Sequence, residues 1–299
     1  MTTKTVKLQR TIVIEQDMGP INPRVDYGNV GIMACWHSRY NLGDVEQTDS
    51  RGVYIDNTDG PYEFRQALEN ALNDIMWKRR PALKAQNYSA DDAEVPCPRG
   101  CSEPDSAGMR EESECPHCSG WGMADNPFWI GDGPADYATA LEVYDRYEHL
   151  VSPDNRLIYL PLYLYDHSGI SMSTGRFSCP WDSGQVGWIF CTGATAVKEW
   201  GKTRLTKKVV ESARKYLEGE VETYDQYLTG QVYGFTIYEH VEGYSPEDGE
   251  CIDSCWGFFS DDYGSDWKEM GMVDHWPEDW ENYRIVVAGY EEQEWKEAA

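Results

Sequence analysis

The chain has 299 residues, 40% of them hydrophobic and 13% aromatic, which is enough apolar material for a substantial core and excludes a disordered protein. Fifty-two Asp and Glu face 26 Lys and Arg, for a formal charge of -26; this balance repels phosphate backbones, argues against direct nonspecific nucleic-acid binding and favours basic protein partners. No apolar run reaches membrane-spanning length, and the opening MTTKTVKLQRTIVIEQ lacks the apolar stretch of a secretory signal, so the expected location is the cytoplasm, with no membrane partner and with nine cysteines as thiols or metal ligands rather than disulfides.

KLQRTIVIEQ, residues 7–16, is β-rich and predicts a strand, and GIMACWHSRYNLGD, residues 31–44, continues with strand and shaped loop. From Pro61, PYEFRQALENALNDIMWKRR sets Phe64, Leu68, Ala71, Leu72 and Ile75 at helical spacing, an amphipathic helix with its stripe inward. Pro, Gly, Ser and acidic residues then dominate from about 80 to 136, a stretch that would be an unusually long loop unless something cross-links it. LIYLPLYLY, residues 157–165, predicts a strand in which Pro161 calls for a bulge or an edge, and QVGWIF, residues 185–190, predicts another.

Thr206 is placed to cap KKVVESARKYLEGEVETYDQYL, whose stripe runs Val210, Ala213, Leu217, Val221, Tyr224, Leu228. QVYGFTIYEH at 231–240 and RIVVAGY at 284–290 predict strands. Together these give an α+β fold: a mixed or antiparallel sheet with amphipathic helices and a cysteine-rich, zinc-binding insertion. Its parts are an N-terminal portion over 1–80, the insertion over 81–136, and a C-terminal portion over 137–299 with an acidic surface. Residues 209–299 alone hold 23 acidic against 5 basic side chains.

Inside the insertion, CPRGCSEPDSAGMREESECPHCSGWG carries Cys97, Cys101, Cys115 and Cys118, separated by three, thirteen and two residues. Two close pairs joined by a loop can turn four thiolates toward one ion, and four protein ligands leave no position for water; the expected cofactor is a structural Zn2+. His117, within the second pair, is the alternative fourth ligand. Cys251 and Cys255 in ECIDSCWGFF form a looser pair, read as buried thiols.

Two further stretches hold candidate functional loops. YDHSGISMSTGRFSCPWDSGQVGW offers Asp166, His167, Cys179, Trp181 and Asp182, and CWHSRYNLGD offers Cys35, His37 and Asp44. Acids, imidazoles and thiols of this kind build hydrolytic or metal sites when brought within hydrogen-bond reach, and turn networks otherwise. Phosphate-binding glycine loops and HExxH are absent.

The segments NVGIMACWHSRYNLGD, LYLYDHSGISMSTGRFSCPWDSGQVGWIF, VETYDQYLTGQVYGF and DSCWGFF, spread over about 230 residues, resemble a family of proteins carried by phages and mobile elements. That resemblance implies an accessory protein of the anti-defence kind, such as inhibitors of the Gabija nuclease–helicase complex. The function expected is therefore a phage-encoded, non-enzymatic inhibitor that binds a bacterial defence protein in the host cytoplasm through acidic and aromatic surface. A hydrolase acting on a nucleotide-derived or nucleic-acid-associated substrate, and a phage structural or assembly factor, are the alternatives, and homo-oligomerisation stays open.

Overall fold

The computed structural model describes residues 7–26, 28–44, 62–101, 115–119, 121–131, 134–261 and 266–287. In chain order the elements are β1 (Leu8–Gln16), α1 (Pro23–Asp26), β2 (Ile32–Cys35), α2 (Tyr62–Arg79), α3 (Pro81–Ala85), β3 (Glu94–Pro96), β4 (Met123–Asp125) and α4 (Pro134–Tyr147). There follow β5 (Leu157–Asp166), β6 (Ile170–Ser173), β7 (Ser183–Thr192), α5 (Gly193–Glu199), α6 (Lys207–Leu228), β8 (Val232–Val241), β9 (Glu250–Phe259) and β10 (Arg284–Val287). Helices beside mixed and antiparallel sheets make this an α+β fold. Among the described residues no helix is long and apolar enough to cross a membrane.

Two compact units share the chain: one takes Met1–Tyr27, Tyr165–Ser173 and Val221–Ala299, the other Gly28–Leu164 and Thr174–Glu220. The first is built on a four-stranded sheet ordered β10-β1-β8-β9. β1 runs parallel to β10 and antiparallel to β8, with Ile12 opposite Ile237 and Ile14 opposite Phe235. These side chains, with Tyr233, Met272 and Trp276, form one buried cluster. Trp276 lies 4.8 Å from Trp267 and 5.3 Å from Trp280 between ring centroids, and its Nε1 has no hydrogen-bond partner among the described residues. The last three residues of RIVVAGY lie outside the described residues; the four before them are β10.

The second unit carries β2, β7 and β5, in that order across the sheet. A Cβ on Gly187 of β7 would stand 2.0 Å from the Ala34 carbonyl oxygen of β2, so only glycine allows that approach. Pro161 sits within β5 rather than on an edge strand: at its far end the strand turns at Ser168 (φ 60°) into β6, which is only four residues long.

α2 buries Phe64, Leu68, Ala71, Leu72 and Ile75, the expected stripe, with Glu63 in its first turn and Lys78 and Arg79 in its last, both favourable to the helix dipole. It ends at the residues before Pro81, which opens α3 at a position where its missing N–H costs nothing. Pro61 lies outside the described residues. Phe64 stacks on Trp188 at 4.9 Å with an interplanar angle of 5° and meets Phe190 and Tyr137 edge-on. Tyr137, Ala140, Leu141 and Tyr144, the buried face of α4, carry helical spacing that the expectations above do not include. The Tyr144 hydroxyl donates to Leu157 O (3.0 Å) and accepts from Leu157 N–H (2.9 Å), closing both polar groups at the start of β5.

Thr206 caps α6 as expected, accepting the Val209 N–H at 3.3 Å. The stripe is displaced by one residue at its start: Val209 is buried and Val210 half-buried, while Ala213, Leu217, Val221 and Tyr224 are buried as expected and Leu228 is half-buried.

Asp74 on α2 accepts the Ser152 N–H at 2.9 Å and the Asn155 side-chain amide at 3.0 Å. Burial alone would raise its pKa, but the bonds from Ser152 and Asn155 and the nearby Lys78 outweigh it and hold the carboxyl below the usual aspartate range. A lowered folded-state pKa contributes stability above the unfolded value, lost as pH falls through the folded one. Asp74→Asn is therefore expected to lose about 1 kcal/mol at pH 7, and the gap from the parent to shrink below about pH 4, as urea midpoints at pH 7 and 3 would show. Asp225 has the opposite sign: burial raises its pKa, Asp261 adds to this, and the bond it accepts from Met172 N–H opposes it. Asp225→Asn should then keep or gain stability at pH 7.

Candidate metal centre

Two short strands frame the cysteines. β3 and β4 pair antiparallel, with Val95 opposite Ala124 and Pro96 opposite Met123. Three-residue strands cannot hold each other in water, and several anchors tie them to the unit. Arg80 at the end of α2 donates to Pro96 O (2.7 Å), and Asn73, buried on α2, accepts the Ala90 N–H (2.7 Å). Asn126 donates to Ser89 O and Asp92 O. Ala90, Val95, Phe128 and Ile130 join the same core cluster as Phe64 and Trp188. The segment that would be a long loop without a cross-link thus has a packed base, and its residues 102–114, 120 and 132–133 lie outside the described residues.

Above that base Cys97, Cys101, Cys115 and Cys118 converge, all four Sγ atoms lying within 4.8 Å of one another. Cys97 Sγ is 3.7 Å from both Cys101 Sγ and Cys115 Sγ. A tetrahedral ion with metal–sulfur bonds of about 2.3 Å requires sulfurs about 3.8 Å apart, so the spacing fits one ion. Cys97, Cys115 and Cys118 are buried. Each pair is a tight turn: Gly100 N–H bonds Cys97 O, Ser119 N–H bonds Cys115 O and Trp121 N–H bonds Cys118 O, while Cys97 N–H reaches across to Gly122 O.

The electrostatics suit a cation. The backbone N–H of His117, with that of Cys118, stabilises the Cys115 thiolate and brings its pKa down to about 6 against the opposing effect of burial. Hydrogen bonding to the Cys115 and Cys97 sulfurs pushes Cys101 up to about 12. Four sulfurs this close can ionise together only when a positive ion compensates them. The four cysteines can hold a metal ion, and His117 contributes its backbone rather than its ring: its side chain is exposed and is not part of the cluster.

In the second unit, Cys35 is buried at the end of β2. Asp44 accepts the Met33 N–H (2.7 Å) while its own N–H bonds Met33 O, closing the loop back onto β2. His37 Nδ1 accepts the Arg39 N–H at 3.2 Å and its ring stacks on Tyr40 at 5.0 Å. Cys179 Sγ donates to Asp182 at 3.4 Å, and Trp181 between them is 92% exposed. Asp166 and His167 belong to the other unit, at the β5–β6 turn, where His167 N–H bonds Gly169 O. Adjacency in YDHSGISMSTGRFSCPWDSG therefore divides between two units. On β9, Cys251 stands opposite Tyr238 and Cys255 opposite Phe235, an odd number of residues apart on β8, so the two thiols face opposite sides of the sheet. Cys191 on β7 is buried, and burial pushes its thiol up to about 12, which keeps it protonated and unreactive.

Besides α4, sequence reading missed a run of cations from Lys198 to Lys208. It was legible as a local reversal of charge but vanishes in a net charge of -26. Compared with protein-family models, with curated proteins and with solved structures, the chain matches none.

Proposed function

We propose that this is a zinc-bound, non-enzymatic phage protein that inhibits a bacterial antiviral defence protein by docking on it in the host cytoplasm. The observation that carries the reading is the outer strand of the first unit. β9 is the last strand of its sheet, and among the described residues only β8 pairs with it. Along it and the preceding turn, Tyr244, Ile252 and Trp256 are 67%, 47% and 42% exposed, amid Glu247, Asp248, Glu250 and Asp253. Trp256 lies against Gly234, where a Cβ would come within 2.2 Å of its ring. A fixed, half-exposed indole within acidic surroundings suits a basic protein surface: charge speeds encounter, and the aromatic group anchors.

Zinc is the metal this reading assigns to the four thiolates. A closed four-sulfur shell leaves no site for substrate, so the ion serves to shape the insertion. Iron in the same shell would absorb visible light, which a spectrum of the purified protein decides.

The inhibitor reading is tested by capture from bacterial lysate, with increasing salt in the wash, using the parent and a Trp256→Ala/Glu250→Lys/Asp253→Lys variant. The expected result is one stoichiometric partner whose antiviral activity falls when the parent is added, retained at least about tenfold less by the variant. Equal retention by both, or a partner whose activity is untouched, sinks the proposal.

A further inference from the structure

A second surface of this acidic protein has the opposite charge. Seven of the 26 basic residues fall between Lys198 and Lys215, where Glu199 and Glu211 are the only acids. The stretch leaves α5 at Trp200 and enters α6 at Thr206, and it folds around a cavity of about 400 Å³, within the range of small-ligand sites. Its floor is apolar: Trp200, half-buried and edge-on to Tyr216 at 5.9 Å, and buried Val209. Its rim is cationic, with Lys202, Arg204 and Lys208 all exposed, and the hydroxyls of Thr203 and Ser212 lie among them.

Among the described residues none of the side chains of Lys202, Arg204, Lys207 and Lys208 makes an ion pair or hydrogen bond. In a chain with twice as many carboxylates as cations, four partnerless cations within seven residues are an arrangement that needs a reason. Two of them, Lys207 and Lys208, occupy the first helical positions of α6, whose first turn has no acid. Cations there oppose the helix dipole, so the sequence places positive charge where a helix alone disfavours it. The Thr206 hydroxyl caps Val209 N–H, which leaves the N–H groups of Lys207 and Lys208 directed out of the helix end with no intrahelical acceptor. Cations, free N–H donors and hydroxyls around one hollow match the oxygens of a phosphate group. The indole and Val209 on the floor match a flat aromatic base.

We propose that the hollow between α5 and α6 binds a nucleoside phosphate, its phosphates held by Lys202, Arg204, Lys208 and the start of α6 and its base against Trp200. At physiological salt the fields of exposed charges fade over about 8 Å, so the cations lining the hollow dominate the field inside it. The site lies wholly within the second unit, whereas β9 belongs to the first, and either reading can fail without the other.

Calorimetry on the full chain, kept free of chelator in 150 mM NaCl, tests it with ATP, tripolyphosphate and adenosine as probes. ATP is expected to bind once per chain, more tightly than either tripolyphosphate or adenosine, and Arg204→Ala/Lys208→Ala to weaken it about tenfold or more, the loss of charge-assisted bonds to phosphate. Lys198→Ala/Lys215→Ala, outside the cavity lining, should bind as the parent does, and equal thermal midpoints show that all the variants fold. The proposal is overturned by no ATP binding at 1 mM, by unchanged binding in Arg204→Ala/Lys208→Ala, or by tripolyphosphate binding as well as ATP, which removes the base from the site. A single-stranded oligonucleotide that binds where ATP does not would make the surface a strand-binding track and overturn it equally.

Discussion

The parent is expected to carry one equivalent of metal per chain, and Cys115→Ser to emerge from purification without it. Zinc held by four cysteines accounts for roughly 10–16 kcal/mol of binding free energy in small zinc-binding peptides, so losing one ligand should remove most of the occupancy. The two three-residue strands stay anchored to α2 and the core, but the few turn bonds of the knuckles themselves cannot keep them closed alone. The thermal midpoint should fall by several degrees, and trypsin should cut faster after the exposed Arg99 beside Cys97. Cys97→Ser should behave alike. Cys179→Ser, whose sulfur bonds Asp182 instead, should keep its metal. A full equivalent of metal in both Cys97→Ser and Cys115→Ser would place the ion elsewhere.

Phe64→Ala should be the most damaging single change in the second unit's core. The ring is fully buried, stacked on Trp188 and flanked by Phe190 and Tyr137, so its removal leaves a cavity among rings too rigid to collapse into it. The expected cost is about 3–5 kcal/mol, a large share of the roughly 5–15 kcal/mol that keeps a domain folded. Phe64→Leu, which fills much of the volume but loses the ring contacts, should cost about half as much. Urea unfolding of the two variants beside the parent measures this, and a loss below 1 kcal/mol for Phe64→Ala would show that the cluster does not hold the unit together.

The cysteine centre was legible because its information is local: each pair closes its own turn, and only one loop has to bring them together. Helix α2 was legible for the same reason, since its stripe is written in residues three and four apart. The one-residue slip from Val210 to Val209 on α6 shows the limit, because adjacent valines give the stripe two allowable phases and only the packing partner selects one. Strand order was not legible at all. Nothing in KLQRTIVIEQ names β8 and β10 as its neighbours, and nothing in ECIDSCWGFF says that the strand separates its cysteines to opposite faces. The grouping of Asp166 and His167 with Cys179 and Asp182 crosses a division that chain order does not announce: the first two belong to one unit and the last two to the other.

The pairing of β1 also sets a schedule for synthesis. Its partner β8 lies far downstream, with Arg10 and Glu239, which meet across the two strands, 229 residues apart. At a ribosomal pace of roughly 5–20 residues per second, that interval lasts roughly ten to fifty seconds. Throughout it the nascent chain holds Ile12, Val13 and Ile14 without the strands that later bury them, while Gly28–Leu164 of the other unit is already emerging. A chain ordered in this way gives chaperones time to attend its first strand, and completes its first sheet last.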